Sequence, residues 1–173
     1  MKRWMKAIGV MCCFLAAVVA FVNDRARATA DHLFGHRTYL SDDPYTDGKV
    51  TIVNGKYIWS HVTEDGFFLS YHLFYDEQYV YGDFNRDGLR DAAVMITDGE
   101  GGSGESRSLA FLINDGTKLV HTKSIGLGDR IIVNSLKARQ GSVVLDMFVH
   151  GEHDCMAGPT KRVKRVYDYA SAR

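Results

Sequence analysis

The chain has 173 residues, 21 basic and 21 acidic side chains, and three cysteines. That length suits one domain, the balanced charge removes any global case for nucleic-acid binding, and so few cysteines exclude a disulfide framework.

Residues 1–30 read as a secretory signal peptide. Lys2, Arg3 and Lys6 form a basic start, Ala7 to Val22 is an uncharged and mostly apolar run, and Ala28-Thr29-Ala30 offers a small-x-small cleavage site. The competing reading is an uncleaved N-terminal anchor, which would be the chain's only membrane association. That run has 16 residues, fewer than the ~20 a spanning helix needs. A lipid anchor on Cys12 or Cys13 is disfavoured, because Met11 and Cys12 stand where a small residue is wanted. The layout predicts export to a periplasmic or extracellular location. Residues 31–173 then form a single β-rich domain with 16 basic and 20 acidic side chains, net −4, and one cysteine, Cys155.

In chain order, a short helical turn or a strand near Thr38-Tyr39-Leu40 comes first, with Pro44 and Gly48 as breakers. Val50 to Val53, Asn54-Gly55 and Lys56 to Trp59 read as a hairpin, since Asn-Gly between β-rich runs is a strong turn signal. Glu64-Asp65-Gly66 turns the chain into Phe67 to Tyr75, where Phe67, Leu69, Tyr71, Leu73 and Tyr75 share one face. Tyr79-Val80-Tyr81 leads into an Asp-rich loop. Ala92 to Thr97 leaves that loop as a central strand, apolar on both faces. Further strands are marked by Leu109, Phe111 and Ile113, by Leu119 to Ile125, by Arg130 to Leu136 and Val143 to Val149 across Gln140-Gly141, and by Val163 to Tyr169. Turn signals recur and no long segment has a helical period. The prediction is a mainly β, largely antiparallel fold, a sandwich or open barrel with few short helices.

The Asp-rich loop carries the chemistry. Asp83, Asn85, Asp87 and Asp91 occupy loop positions one, three, five and nine, Gly88 position six and Leu89 position seven. Alternate residues of a tight turn aim their oxygens at one centre, Gly at six takes the sharp bend, and at seven a backbone carbonyl suffices. The spacing predicts calcium held by Asp83, Asn85, Asp87, Leu89 and Asp91. Position twelve is Val94 rather than the bidentate Glu of an EF-hand, so the loop runs into a strand and affinity is modest. Such a D-x-N-x-D-G-x-x-D loop before a strand resembles the FG-GAP repeats of β-propellers. One loop without a blade-length repeat excludes a propeller. The bland alternative is a metal-free Asx-rich turn.

Other segments weigh less. The Gly99–Gly104 loop lacks the Lys-Ser/Thr ending of a phosphate cradle, although Asp98, Glu100 and Glu105 flank it. His150-Gly151-Glu152-His153-Asp154-Cys155 gathers possible zinc ligands without a second pair at finger-like spacing, and reads better as a polar loop after a strand. Lys161-Arg162-Val163-Lys164-Arg165 puts charge on both faces of a strand, which suits a sheet edge.

Tyr81-Gly82-Asp83 through Val94, Gly101 to Gly104, Leu127-Gly128-Asp129-Arg130, and His150-Gly151 through Pro159-Thr160 together form an ordered set. Tyr39 and Val53 to Tyr57 precede it. The set resembles a group of uncharacterised bacterial exported proteins. It departs from them at Cys155-Met156-Ala157-Gly158, where that group has Met-Cys-Cys before Pro-Thr. The resemblance implies export and the fold, and no reaction. The reading on residues alone is therefore a non-enzymatic exported domain, ordered by calcium and docking an unknown protein or envelope component, with no nucleic acid. The alternative is a small hydrolase with Asp98, Glu100, Asp129, His150 or His153 in one cleft.

Overall fold

Strands whose apolar residues alternate bury one face, and a strand apolar on both faces belongs in the middle of a layered sheet. The computed structural model describes residues 29, 30, 32–101, 104–155 and 158–171. The expected leader lies, up to residue 28, outside the described residues.

Ten strands follow in order: β1 Arg37–Leu40, β2 Lys49–Ile52, β3 Lys56–Val62, β4 Phe68–Gly82, β5 Asp91–Gly99, β6 Ser106–Asn114, β7 Leu119–Asp129, β8 Ile132–Arg139, β9 Ser142–Val149 and β10 Lys161–Asp168. They form three antiparallel sheets: β1-β2, the five-stranded β3-β4-β5-β6-β7, and β10-β9-β8. The chain is mainly β with little helix, as its patterning predicts, and among the described residues no sheet closes into a barrel.

Innermost is β5. Ala92, Val94 and Ile96 join a core with Phe34, Tyr39 and Ile52, on the side of the β1-β2 hairpin. Ala93 and Met95 point the other way, into a core with Leu109, Phe111, Val143, Leu145 and Met147 from β6 and β9. The five-stranded sheet is thus the middle layer, covered on each face by a smaller sheet.

Two local readings change in context. Asn54 and Gly55 do make a tight turn, with φ of 54° and 78°. The flanking runs are nevertheless not a hairpin: only the bridge Val53↔Lys56 joins them. Instead β2 pairs back with β1, and β3 pairs onward with β4. A two-residue turn fixes a reversal, but the apolar faces choose the partners. Likewise the runs at Phe67–Tyr75 and Tyr79–Tyr81 are one strand of 15 residues. A register shift between Tyr75 and Tyr79 interrupts it, with Glu77 at φ 56°. The basic run lies on β10, a terminal strand of its sheet, where Arg162 meets Asp146 at 2.7 Å.

Candidate functional site

The Asp83–Asp91 segment joins β4 to β5 as a self-bonded turn. Its anchor is Asp91, which is fully buried. Asp91 Oδ2 accepts the N–H groups of Phe84 (2.8 Å) and Asn85 (3.3 Å), while Oδ1 accepts that of Asn114 (2.9 Å) at the end of β6. A buried carboxylate is tolerable only with such donors. Phe84 plugs the second core, edge-on to Phe111 at 5.4 Å between ring centroids. Gly88, at φ 86°, takes the bend that a side chain resists. Arg86 also lies in the left-handed region, at φ 65°. The loop abuts the β8–β9 turn: a Cβ on Gly141 would stand 3.1 Å from the Asp83 carbonyl oxygen.

The remaining polar side chains line the turn. Asp87 N–H donates to Asp83 Oδ1 (3.1 Å) and to Asn85 Oδ1 (3.2 Å), and Gly88 N–H donates to Asp83 Oδ2 (3.1 Å). Leu89 N–H donates to Asp87 Oδ1 (2.8 Å), and Asn85 Nδ2 to Asp87 Oδ2 (2.7 Å). Four of the five expected ligands, Asp83, Asn85, Asp87 and Leu89, therefore sit together on the turn. Asp91 lies beneath them, with both oxygens engaged by amides. Among the described residues no three His, Cys, Asp or Glu side chains surround a common point. The donor chemistry of Asp83, Asn85 and Asp87 is all oxygen, which fits a hard cation such as calcium. In this arrangement the loop's own amides take those oxygens.

At the other end of β5 is a second polar region. Asp98 and Glu100 line a cleft with Ser41, Asp42, Asp43 and Tyr71. Burial pushes the Asp98 carboxyl above its ordinary range, with Glu100 and Asp43 adding to the rise and His72 opposing it. Burial likewise raises the Tyr71 hydroxyl, whose oxygen accepts from Ser41 Oγ at 3.3 Å. One wall is fixed by His121, whose Nδ1 accepts the Leu40 N–H at 2.8 Å and whose Nε2 meets Ser124 Oγ at 3.0 Å. Burial holds this imidazole down at about 4.

The other expected residues lie outside this cleft's lining. Asp129 accepts the Glu105 N–H at 2.9 Å and pairs with Arg130. His150 and His153 follow β9, in the sheet on the opposite side of the central layer. There Asp154 organises the turn, accepting the N–H groups of Gly151 and Thr160 and the Thr160 hydroxyl. These bonds hold its carboxyl at about 2. Cys155 is exposed. Gly99 permits a close approach: a Cβ there would stand 2.6 Å from the His72 ring. Asp43 escapes sequence reasoning, because its meeting with Asp98 depends on the β1-β2 hairpin docking over β5. No protein-family model, curated protein or solved structure matches the chain.

Proposed function

We propose that the chain is an exported β domain whose Asp83–Asp91 loop takes up calcium, and that the ordered loop docks an envelope or extracellular partner. One observation carries this reading: Asp83 Oδ1 and Asn85 Oδ1 both approach a single atom, Asp87 N, at 3.1 and 3.2 Å. Two side-chain oxygens therefore already face the inside of the turn. Asp83, Asn85 and Asp87 would hold the ion, with the Leu89 carbonyl as a backbone donor. Bound calcium supplies a positive centre that joins these oxygens in place of amide donors. Asp91 acts beneath the site by fixing the ends of the loop to β6. Without a bidentate Glu the affinity falls at about 10⁻⁴–10⁻³ M, the range of extracellular modules.

Thermal unfolding of the full chain with calcium and with chelator tests the reading. Calcium at about a hundred times its dissociation constant should add roughly 2.7 kcal/mol, a rise of several degrees in Tm. The Asp87→Asn variant should lose most of that rise. Identical melting with calcium and with chelator would refute the calcium site.

A further inference from the structure

The cleft beside β5 has a volume of about 230 Å³. Its apolar floor is Leu73 and Ile96, and its rim carries Asp42, Asp43, Asp98 and Glu100. Asp43 is only 9 % exposed. Its Oδ1 accepts the Tyr45 N–H at 2.8 Å, whereas its Oδ2 is buried and has no hydrogen-bond partner among the described residues. None of the described residues lining the cleft is a lysine, arginine or histidine. A desolvated carboxylate oxygen without a donor is costly, and a cationic donor relieves that cost.

We propose that this cleft binds a primary alkylammonium group, supplied by a free alkylamine or by a lysine side chain of a partner polypeptide. The ammonium is compact and its donors rotate, which suits the one unpartnered acceptor, Asp43 Oδ2, while Asp98 and Glu100 add negative charge at longer range. Its methylene stem lies against Leu73 and Ile96, as long cationic side chains cover apolar surface elsewhere. A metal ion fits less well, because these carboxylates do not surround one point. A guanidinium favours paired, coplanar contacts to a single carboxylate. This cleft is separate from the Asp83–Asp91 loop, and the proposal stands whether or not that loop takes calcium.

The test titrates the isotope-labelled full chain with n-butylammonium, with Nα-acetyl-lysine amide, and with n-butanol as the uncharged control, following backbone amide shifts. Saturable shifts at Asp43, Tyr71 and Asp98 with at least one amine, and none with butanol, are expected. Tighter binding of the lysine amide identifies a polypeptide source, and tighter binding of butylammonium a free amine. Asp43→Asn should weaken binding by about tenfold or more, the loss of one charge-assisted hydrogen bond. Asp98→Asn reads the same quantity if Asp43→Asn does not fold. Equal response to butanol, shifts confined to other sites, or undiminished affinity in the folded variants would overturn the proposal.

Discussion

The two faces of the central sheet are built differently. Toward β1-β2, the core is rich in rings with polar tips: Tyr39, Tyr71 and Tyr75 are buried, with Tyr57, Trp59, Tyr79 and Tyr81 half-buried around them. Toward β8-β10, it is aliphatic, Met and Phe: Leu109, Phe111, Val143, Leu145 and Met147 are fully buried. Polar tips need partners, as when the Tyr39 hydroxyl donates to the Phe34 carbonyl at 3.0 Å. The first face is therefore specified by hydrogen bonds and carries a polar cleft. The second is packed chiefly by shape, with its polar requirement confined to the Asp91 anchor and the Asp76–Thr97 bond.

Experiments that break this contrast should differ in size. The largest effect is expected on the second face, where Leu145→Ala should cost about 4 kcal/mol in urea unfolding through lost burial and a cavity. Its stability loss should be the same at acid and neutral pH. Next is the Asp91→Asn change at the loop anchor. It puts an amide group where an N–H now donates to a carboxylate oxygen, for a loss of about 3 kcal/mol. On the proposed calcium reading, the same variant should lower calcium affinity only indirectly, since Asp91 holds the loop ends.

Acidification tests the first face. His121 is buried neutral, with its folded pKa at about 4 against about 6.5 unfolded. Its lowered value means the unfolded chain takes up the proton first, so stability falls as pH drops below the unfolded value and stops falling below the folded one. Between about pH 7 and pH 4.5 the loss should be about 2–3 kcal/mol. Asp98 on the same face, and Asp76 beside Thr97 on the other, act in the opposite sense. Burial raises both, so the folded state gains on their protonation as pH falls toward the ordinary carboxylate range. Comparing His121→Gln with the unaltered chain by denaturant titration across this range isolates the imidazole. A parallel pH slope in both would reject its role. The smallest effect belongs to Arg86→Gly, which removes a side chain from left-handed backbone and should stabilise by under about 1 kcal/mol.

Much of the layering was legible in the sequence, because Val143 to Met147 alternates and the unbroken apolar run Ala92 to Ile96 has to be covered on both sides. The loop was legible too, since Asx residues and Gly88 fix a turn within nine positions. Partner choice was not. Asn54-Gly55 announces a reversal, but nothing near it says that β2 and β3 will enter different sheets. Asp91 carries a ligand's spacing, yet its burial depends on a donor from Asn114, 23 positions away. The acidic cleft was legible only in part: Asp98 and Glu100 were expected in one, but Asp43 reaches it through tertiary packing alone.

The tie between Leu40 and His121 spans 81 positions, and nearby the Arg37 guanidinium donates to the Leu119 carbonyl. A ribosome adding about 5–20 residues per second needs roughly 4–16 s to make the second half of that clasp. During that interval the opening hairpin has no strand β7 to settle on, and Tyr39 lacks the imidazole it later meets at 5.3 Å. A nascent chain must wait with its first ring-rich segment unsheltered, which makes that hairpin the natural target for a chaperone and the last piece to lock.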